Sequence, residues 1–152
     1  MINVIPELKV FLVAMSPVVE LRGAIPLAVK IYGFPLWQAF FISVAGNLVP
    51  LCGIVVFGRP IANVLSKQCQ CFKKFFDWLF TKVRAKTERL SGLGKNLTVL
   101  ILTAIPIPFV GGWTGAIAAF LLEVPAKKSV WLVTLGAIVS GAIVSFLTIV
   151  FN

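Results

Sequence analysis

Two opposite charges lie two residues apart in an otherwise apolar part of the chain, Glu20 and Arg22. They are preceded by Ser16-Pro17 and followed by Gly23 and Pro26. Because ionisable residues in an apolar environment are costly, they indicate function: a carboxylate can bind a proton or a cation, and a guanidinium can bind an anion. The prolines indicate that the backbone here is not one uninterrupted helix.

The sequence Ser16-Pro17 predicts a helix start, with serine as the N-cap and Glu20 in the first turn. The positive end of that helix would then lie in the membrane interior beside a carboxylate. Residues two apart do not face each other on a helix, so Glu20 and Arg22 can pair only if the backbone is extended. If it is helical, each needs another partner, such as Asn47, water or a ligand. The alternative is that Glu20 only caps and Arg22 only pairs with it.

A second stretch is rich in proline and glycine and carries no charge: Pro106-Ile107-Pro108, then Gly111-Gly112-Trp113-Thr114-Gly115. Glycines allow close backbone approach, and unwound backbone exposes amide and carbonyl groups at membrane depth. The stretch therefore offers backbone dipoles, a hydroxyl and an indole ring; a tight turn with a packing tryptophan is the alternative. We predict a substrate or ion site, without a metal ion, formed by Glu20, Arg22, Asn47, Trp113 and Thr114.

The composition is that of a membrane protein. The chain has 152 residues, 59% of them hydrophobic and 12% charged, against about 45–50% and 25% in a soluble domain. It contains no histidine, which excludes Ser-His and Cys-His catalysis and histidine metal ligation. Since it has only five acidic residues, we expect neither an enzyme nor a bound cofactor. The three cysteines imply no disulfide framework.

Two segments, 36–57 and 129–151, carry no charge and are long enough to cross a bilayer, which takes about 20 apolar residues. Two others, 4–31 and 97–122, are interrupted by the stretches described above. Each arm of an interrupted segment covers roughly half a bilayer at about 1.5 Å per residue. The sequence therefore predicts two re-entrant hairpins, each entering and leaving on one side; two kinked spanning helices are the alternative.

The order of broken hairpin, turn and spanning helix occurs twice, which indicates an internal duplication. An offset of 90 residues matches Pro35 with Pro125 and Gly46 with Gly136. With one spanning helix per repeat, the second repeat enters from the opposite face, so the topology is inverted. We predict one all-α membrane domain over 1–152, with repeat 1 at 1–58, a linker at 59–94 and repeat 2 at 95–152.

The linker and its borders are strongly basic. Their charged residues are Arg59, Lys67, Lys73, Lys74, Lys82, Arg84, Lys86, Arg89 and Lys95, with Asp77 and Glu88. Apolar residues recur there at spacings of three and four, which predicts an amphipathic helix on the membrane surface. By the positive-inside rule the linker is cytoplasmic and both termini lie outside the cell membrane. We therefore expect membrane lipids as partners rather than nucleic acid, the alternative for a basic run.

Small and polar residues mark the packing faces of the two spanning segments. The first carries, on one face, Ser43, Asn47 and Pro50. This pattern indicates contact with the interrupted stretches. The second carries, at a spacing of four, Ala137, Gly141 and Ser145. Such a ridge is typical of close helix packing.

Three motifs, drawn from both repeats, resemble one known family. They are Glu20-Leu21-Arg22-Gly23-Ala24-Ile25-Pro26-Leu27-Ala28, Ala104-Ile105-Pro106-Ile107-Pro108 and Trp113-Thr114-Gly115-Ala116. The family is that of the small multidrug export proteins, which is itself similar to the membrane superfamily named after DedA. The resemblance implies paired re-entrant hairpins and a transport function.

These observations predict an integral membrane transporter that exports small hydrophobic or cationic compounds. Glu20 would titrate a proton or bind a cation, and Arg22 would be its partner or an anion anchor. A flippase or scramblase for a phosphorylated lipid carrier, with Arg22 on the phosphate, is a second hypothesis. A non-transporting scaffold is a third. Because 152 residues form a thin bundle, we expect a homo-oligomer.

Overall fold

The fold of the described residues consists of six α-helices. The computed structural model describes residues 5–68, 74, 77–78, 81, 94–106 and 111–151, without the side chains of Arg59 and 61–68. The helices are α1 (Pro6–Met15), α2 (Glu20–Lys30), α3 (Leu36–Gln68), α4 (Lys95–Ala104), α5 (Gly112–Leu121) and α6 (Ala126–Val150). No β-strand occurs in these ranges, so the all-α prediction is confirmed for them. Most of the predicted linker helix over 59–94 and Pro108 fall outside the described residues.

Prolines and glycines set the helix boundaries. α1 begins at Pro6 and ends before Pro17, because proline suits a first helical turn and disfavours the helical conformation of the residue before it. α4 likewise ends before Pro106. Gly33 in the turn before α3 and Gly94 at the N-cap position of α4 have φ angles of 66° and 82°, a region that favours glycine.

The same set of helices occurs twice along the chain. Two short helices of 10 and 11 residues precede the 33-residue α3, and two of 10 residues precede the 25-residue α6. In each set the first short helix packs on a glycine of the long one. A Cβ on Gly46 would overlap the carbonyl oxygen of Phe11, and one on Gly136 would lie 3.2 Å from that of Leu100. The two glycines matched by the sequence therefore make equivalent contacts.

Each set of helices has its own apolar core. The first core includes Val10, Ala14, Leu21, Ala24, Ile25, Ala28, Val44, Ala137 and Val144. The second includes Leu51, Val55, Val99, Ala116, Ala119 and Val133. Because α3 and α6 contribute to both clusters, the two long helices join the halves.

The long helices α3 and α6 pack directly against each other. A Cβ on Gly141 would lie 2.9 Å from the Phe40 ring and 3.1 Å from Val44. Further along α3, Leu51 shares a cluster with Val133, which lies earlier in α6. The helices are therefore antiparallel. The predicted small-residue ridge is buried along this side of α6, so its packing role is confirmed.

Two stretches are long and apolar enough to cross a membrane, Leu36–Gly58 and Ala126–Val150. They agree with the predicted spans to within three residues at each end. α3 continues without interruption to Gln68, so its 33 residues extend about 50 Å, beyond a hydrocarbon core of about 30 Å. Pro50 and Pro60 lie inside α3 and do not end it.

The outer surface of the bundle is apolar. Along α6 the exposed large hydrophobic side chains are Trp131, Leu135, Ile138, Val139, Ile143, Phe146, Leu147, Ile149 and Val150. An apolar surface of this extent indicates a lipid or protein contact rather than water. Trp37 and Trp131 lie near the first residues of the two antiparallel helices, with 66% and 70% of their surface exposed. They therefore lie towards opposite ends of the bundle, as tryptophans of the two membrane interfaces do.

Candidate functional site

The turn between α1 and α2 positions Glu20. The Glu20 N–H donates to the Ser16 carbonyl at 3.0 Å, and the Ser16 hydroxyl accepts the Val18 N–H at 3.4 Å. Glu20 has a φ of 48°, in the left-handed region, which costs a residue with a side chain on the order of 1–3 kcal/mol.

The predicted start of α2, with Ser16 as its N-cap, is wrong by three residues. α2 begins at Glu20, and the N-cap position is held by Val19 without a side-chain cap. The physical reason is that Ser16 closes a single isolated turn, and the left-handed backbone of Glu20 separates this turn from the helix. Glu20 is nevertheless the first residue of a helix.

The Glu20 carboxylate lies at the beginning of α5, in the other half of the chain. Oε1 accepts the Trp113 backbone N–H at 3.5 Å, and the Gly112 N–H also bonds to the carboxylate. A Cβ on Gly111 would lie 2.5 Å from Oε2. The first N–H groups of a helix have no partner within it and form its positive end. The acid of one half therefore caps a helix of the other.

Arg22 has a partner of its own. Its Nη2 donates to the Val18 carbonyl at 2.7 Å, one turn earlier. Among the described contacts Glu20 and Arg22 are not hydrogen-bonded to each other, although the guanidinium acts on the carboxylate electrostatically. Both residues belong to α2, and on a helix the side chains of residues two positions apart point in different directions. This is the helical case of the sequence argument, in which each charge needs a separate partner.

The start of α5 packs on the middle of α3. A Cβ on Gly112 would lie 2.6 Å from Leu51 Cδ1, which explains why glycine is needed there. One turn before Leu51 on the same face lies Asn47, which is buried with its side-chain oxygen unpartnered among the described residues. The Trp113 ring packs with the Leu51 cluster, and its buried Nε1 has no partner in the same ranges. Sequence reasoning missed Leu51, whose one signal was its spacing of four from Asn47.

The remaining predicted residues of the second stretch lie after the end of α4 and in the first turn of α5. Thr114 is half-buried in the first turn. Gly115 packs on Thr103 of α4, where a Cβ would overlap the hydroxyl. Pro106 follows the end of α4. The hydrogen bond of Trp113 to Glu20 comes from its backbone N–H. The predicted roles of the Trp113 ring and of Thr114 stay predictions.

Gly23 and Pro26 follow the turn that positions Glu20. Both lie inside α2, about one and two turns after Glu20. A proline inside a helix removes one backbone hydrogen bond, a loss that neighbouring helices can compensate in membrane proteins. Gly23 nevertheless packs on Val19 at the start of α2, where a Cβ would overlap the Val19 side chain, and the structural role predicted for both residues stays a prediction.

We expect Gly111→Ala to displace the Glu20 carboxylate while leaving the fold intact. The added Cβ would lie 2.5 Å from Oε2, the flexible end of a side chain that can swing aside. The loss is one long hydrogen bond, worth about 1 kcal/mol. The measurement is the amide proton chemical shift of Trp113, which should move upfield. Gly53→Ala, where a Cβ meets nothing within 4 Å, should leave this shift unchanged; an unchanged shift in Gly111→Ala would contradict the contact.

Both ends of the Glu20 contact lie in a region that one family model covers. The model described as "Putative small multi-drug export protein" matches residues 20–143, beginning at Glu20 itself. The chain belongs to this family. The resemblance of the sequence motifs to the small multidrug export family is thereby confirmed, and the similarity to the DedA superfamily stays a prediction. No curated protein and no solved structure matches the chain.

Family membership and the two long apolar helices together indicate a membrane protein. The family description also favours a transporter over an enzyme.

Proposed function

We propose that this chain exports small hydrophobic or cationic compounds across the cell membrane, coupled to a proton or another cation through Glu20. The observation that carries the proposal is the carboxylate of α2 at the beginning of α5. It is an ionisable group at the junction of two helix starts, between the two halves of an export-family chain. Broken helices that meet in this way form substrate and ion sites in many transporters.

The chemistry follows from competition for one carboxylate. An ionised Glu20 can hold one cation, or accept the α5 N–H groups, but protonation removes the charge that attracts both. A proton arriving from one side therefore releases a monovalent cation to the other. Because the same carboxylate joins α2 to α5, its protonation also weakens the contact between the halves, which is the two-state element that alternating access requires.

We further propose that α1–α2 and α4–α5 are re-entrant hairpins in an inverted repeat. Ten residues of α1 extend about 15 Å, half of the hydrocarbon core. α1 lies beside the part of α3 that runs from Phe41 to Gly46. This part belongs to the first half of the predicted span in α3. α2 then ends at Lys30, whose Nζ donates to the Phe151 carbonyl at the end of α6. The antiparallel packing of α3 and α6 supports the inversion.

Cysteine labelling tests this topology. In a chain without its native cysteines, we expect cysteines at Ile5 and Lys30 to react from outside, and those at Lys95 and Glu123 from the cytoplasm. All four positions are exposed. The assignment of sides assumes a cytoplasmic linker and external termini. If α1 and α2 instead form one kinked span, Ile5 and Lys30 will react from opposite sides, and the hairpin proposal fails.

Transport in proteoliposomes tests the function. The purified chain is reconstituted with a pH-sensitive dye inside the vesicles, and a hydrophobic cation such as ethidium is added outside. We expect a cation-driven change of internal pH that is absent from protein-free vesicles. No change of pH and no accumulation of ethidium, under either direction of the proton gradient, would overturn the proposal and leave a non-transporting scaffold.

Arg22 favours one second candidate, a flippase or scramblase for a phosphorylated lipid carrier. Its described partner is a neutral carbonyl of the same turn, so its charge is available to a phosphate. An assay in the same vesicles, with a fluorescent polyprenyl phosphate as substrate, distinguishes the exporter from the flippase or scramblase. Flipping that is lost in Arg22→Ala, without any pH response to ethidium, would favour the lipid substrate. The expected homo-oligomer stays a prediction.

A further inference from the structure

Two buried polar groups of complementary type lie unpaired where α5 begins beside α3. The Trp113 indole Nε1–H is a donor and Asn47 Oδ1 is an acceptor, and neither has a hydrogen-bond partner among the described residues. Asn47 is only 1% exposed. Buried polar atoms are hydrogen-bonded in the great majority of cases, and the low dielectric of an interior makes an unpaired one unfavourable. Each of the two groups is therefore a partner that the other lacks.

α3 and α5 run parallel where they pack. A Cβ on Gly112 would lie 2.6 Å from Leu51 Cδ1, and further along both helices a Cβ on Gly58 would lie 3.8 Å from Phe120 Cδ1. Residue numbers therefore rise in the same direction along the two helices. The start of α5 lies beside the middle of α3, and a shift of α5 towards its own start is a shift towards the start of α3.

This direction places Asn47 on the side towards which the Trp113 side chain leans. Side chains on a helix lean towards its first residue. The Trp113 ring packs in the Leu51 cluster, and Asn47 lies one turn nearer to the start of α3. A displacement of the first turn of α5 by one helical turn at most, about 5 Å, therefore brings the indole to the amide. In the described position this turn is bonded to Glu20, whose Oε1 accepts the Trp113 backbone N–H at 3.5 Å.

We infer that Trp113 and Asn47 form a hydrogen-bond switch that is made when Glu20 loses its charge. While Glu20 is ionised, the carboxylate holds the backbone of Trp113 and the indole stays unpaired. Without the charge, the first turn of α5 moves towards the start of α3 and the indole donates to Asn47 Oδ1. Displacements of one packed element past another by one turn are an established kind of switching motion. The inference rests on the proposed function, because it names the second position of α5 in that two-state cycle.

The test follows the indole N–H signals of the full chain in nanodiscs by NMR, with isotope-labelled tryptophan. Trp113→Phe identifies the relevant signal among the four tryptophans. We expect the Trp113 indole proton to shift downfield in Glu20→Gln, because a hydrogen bond deshields it. Adding Asn47→Leu to Glu20→Gln should return the signal to its wild-type position. Ser43→Ala is the matched control and should not, since it removes another buried, unpartnered polar group of the described part of the same α3 face.

Three results would each overturn the inference. An indole signal that is identical in the wild type and in Glu20→Gln means that the first turn of α5 does not move. A shift that survives Asn47→Leu means that the indole has a different acceptor. A wild-type signal that already responds to Asn47→Leu means that the two groups are joined, directly or through water, before the charge is lost. If Glu20→Gln does not fold, Gly111→Ala decides instead, because its Cβ displaces the carboxylate and keeps the acid.

Failure of the switch and failure of the export proposal can be told apart, because the indole signal is measured without a substrate. Transport by a chain whose indole signal does not move in Glu20→Gln would overturn the switch alone. A signal that moves as expected in a chain that transports nothing would overturn the export proposal and leave the switch as a property of the fold.

Discussion

Glu20→Gln is expected to abolish the cation-driven pH change in proteoliposomes while the protein still folds and inserts. Glutamine keeps the length of the side chain and an oxygen that can accept the Trp113 N–H, which now lies 3.5 Å away. It cannot bind a proton or carry the negative charge that holds a cation. Loss of a charge at a preorganised site typically costs tenfold or more, that is, about 1.4 kcal/mol or more. The measurement is the initial rate of internal pH change against substrate concentration.

Glu123→Gln provides the matched control for this result. Glu123 is also an acid at a helix terminus with a positive φ, 57° against 48° for Glu20, but it is exposed in the turn after α5. Its substitution therefore removes one negative charge from a similar backbone without touching the contact between the halves. We expect its pH response to equal that of the wild type. If Glu20→Gln transports normally and only melts at a lower temperature, Glu20 is a structural cap and the scaffold hypothesis is favoured.

The spans and the breaks could be predicted because their causes are local. A segment such as 36–57 has more than 20 consecutive uncharged residues, and this length and lack of charge predict a membrane span. Pro17 and Pro106 stop α1 and α4 through their own ring geometry. The match of Gly46 with Gly136 could be found by counting. Each of these inferences needs only neighbouring residues or a fixed offset, and no knowledge of how the helices pack.

The contact between Glu20 and the start of α5 could not be predicted in detail. It joins residues more than 90 positions apart in the sequence. The distance between their atoms depends on how α3 and α6 pack together. The sequence placed a charged stretch and a glycine-rich stretch in opposite halves, but it did not give the distance between them. The start of α2 was missed for a related reason. Local preference favours Ser16 as an N-cap, whereas the left-handed backbone of Glu20 is held by its surroundings.

The two alternatives for Glu20, cap and functional group, are not exclusive in this geometry. A carboxylate on unpaired helix N–H groups stabilises the helix it caps. The same contact joins α5 to the turn that leads into α2. A ligand or proton that removes the charge therefore changes the energy of the contact between the halves as well as its own binding. If the proposed function holds, a half-buried cap in this position would also couple the two halves, so the two explanations are compatible.

Gly46→Ala is expected to destabilise the chain severely, and Gly53→Ala is expected to leave it unchanged or more stable. Both glycines lie inside α3, so alanine improves the intrinsic helix propensity of each by up to about 1 kcal/mol. At Gly46 the new methyl group would overlap the Phe11 carbonyl oxygen and lie 3.1 Å from the Ala14 Cβ. A backbone carbonyl cannot turn away as a side chain can, so α1 must shift as a whole. At Gly53 nothing lies within 4 Å.

The two substitutions add the same atoms to one helix and differ only in what surrounds them. Overpacking costs about 1–3 kcal/mol, and more against rigid backbone, so we expect a net loss of about 2 kcal/mol or more for Gly46→Ala. The measurement is the unfolding midpoint in mixed detergent with increasing dodecyl sulfate. Because α1 also carries the turn that positions Glu20, transport should fall with stability in Gly46→Ala alone. If both variants unfold at the wild-type midpoint, α1 does not pack on Gly46, and the half-bilayer depth inferred for α1 loses its main support.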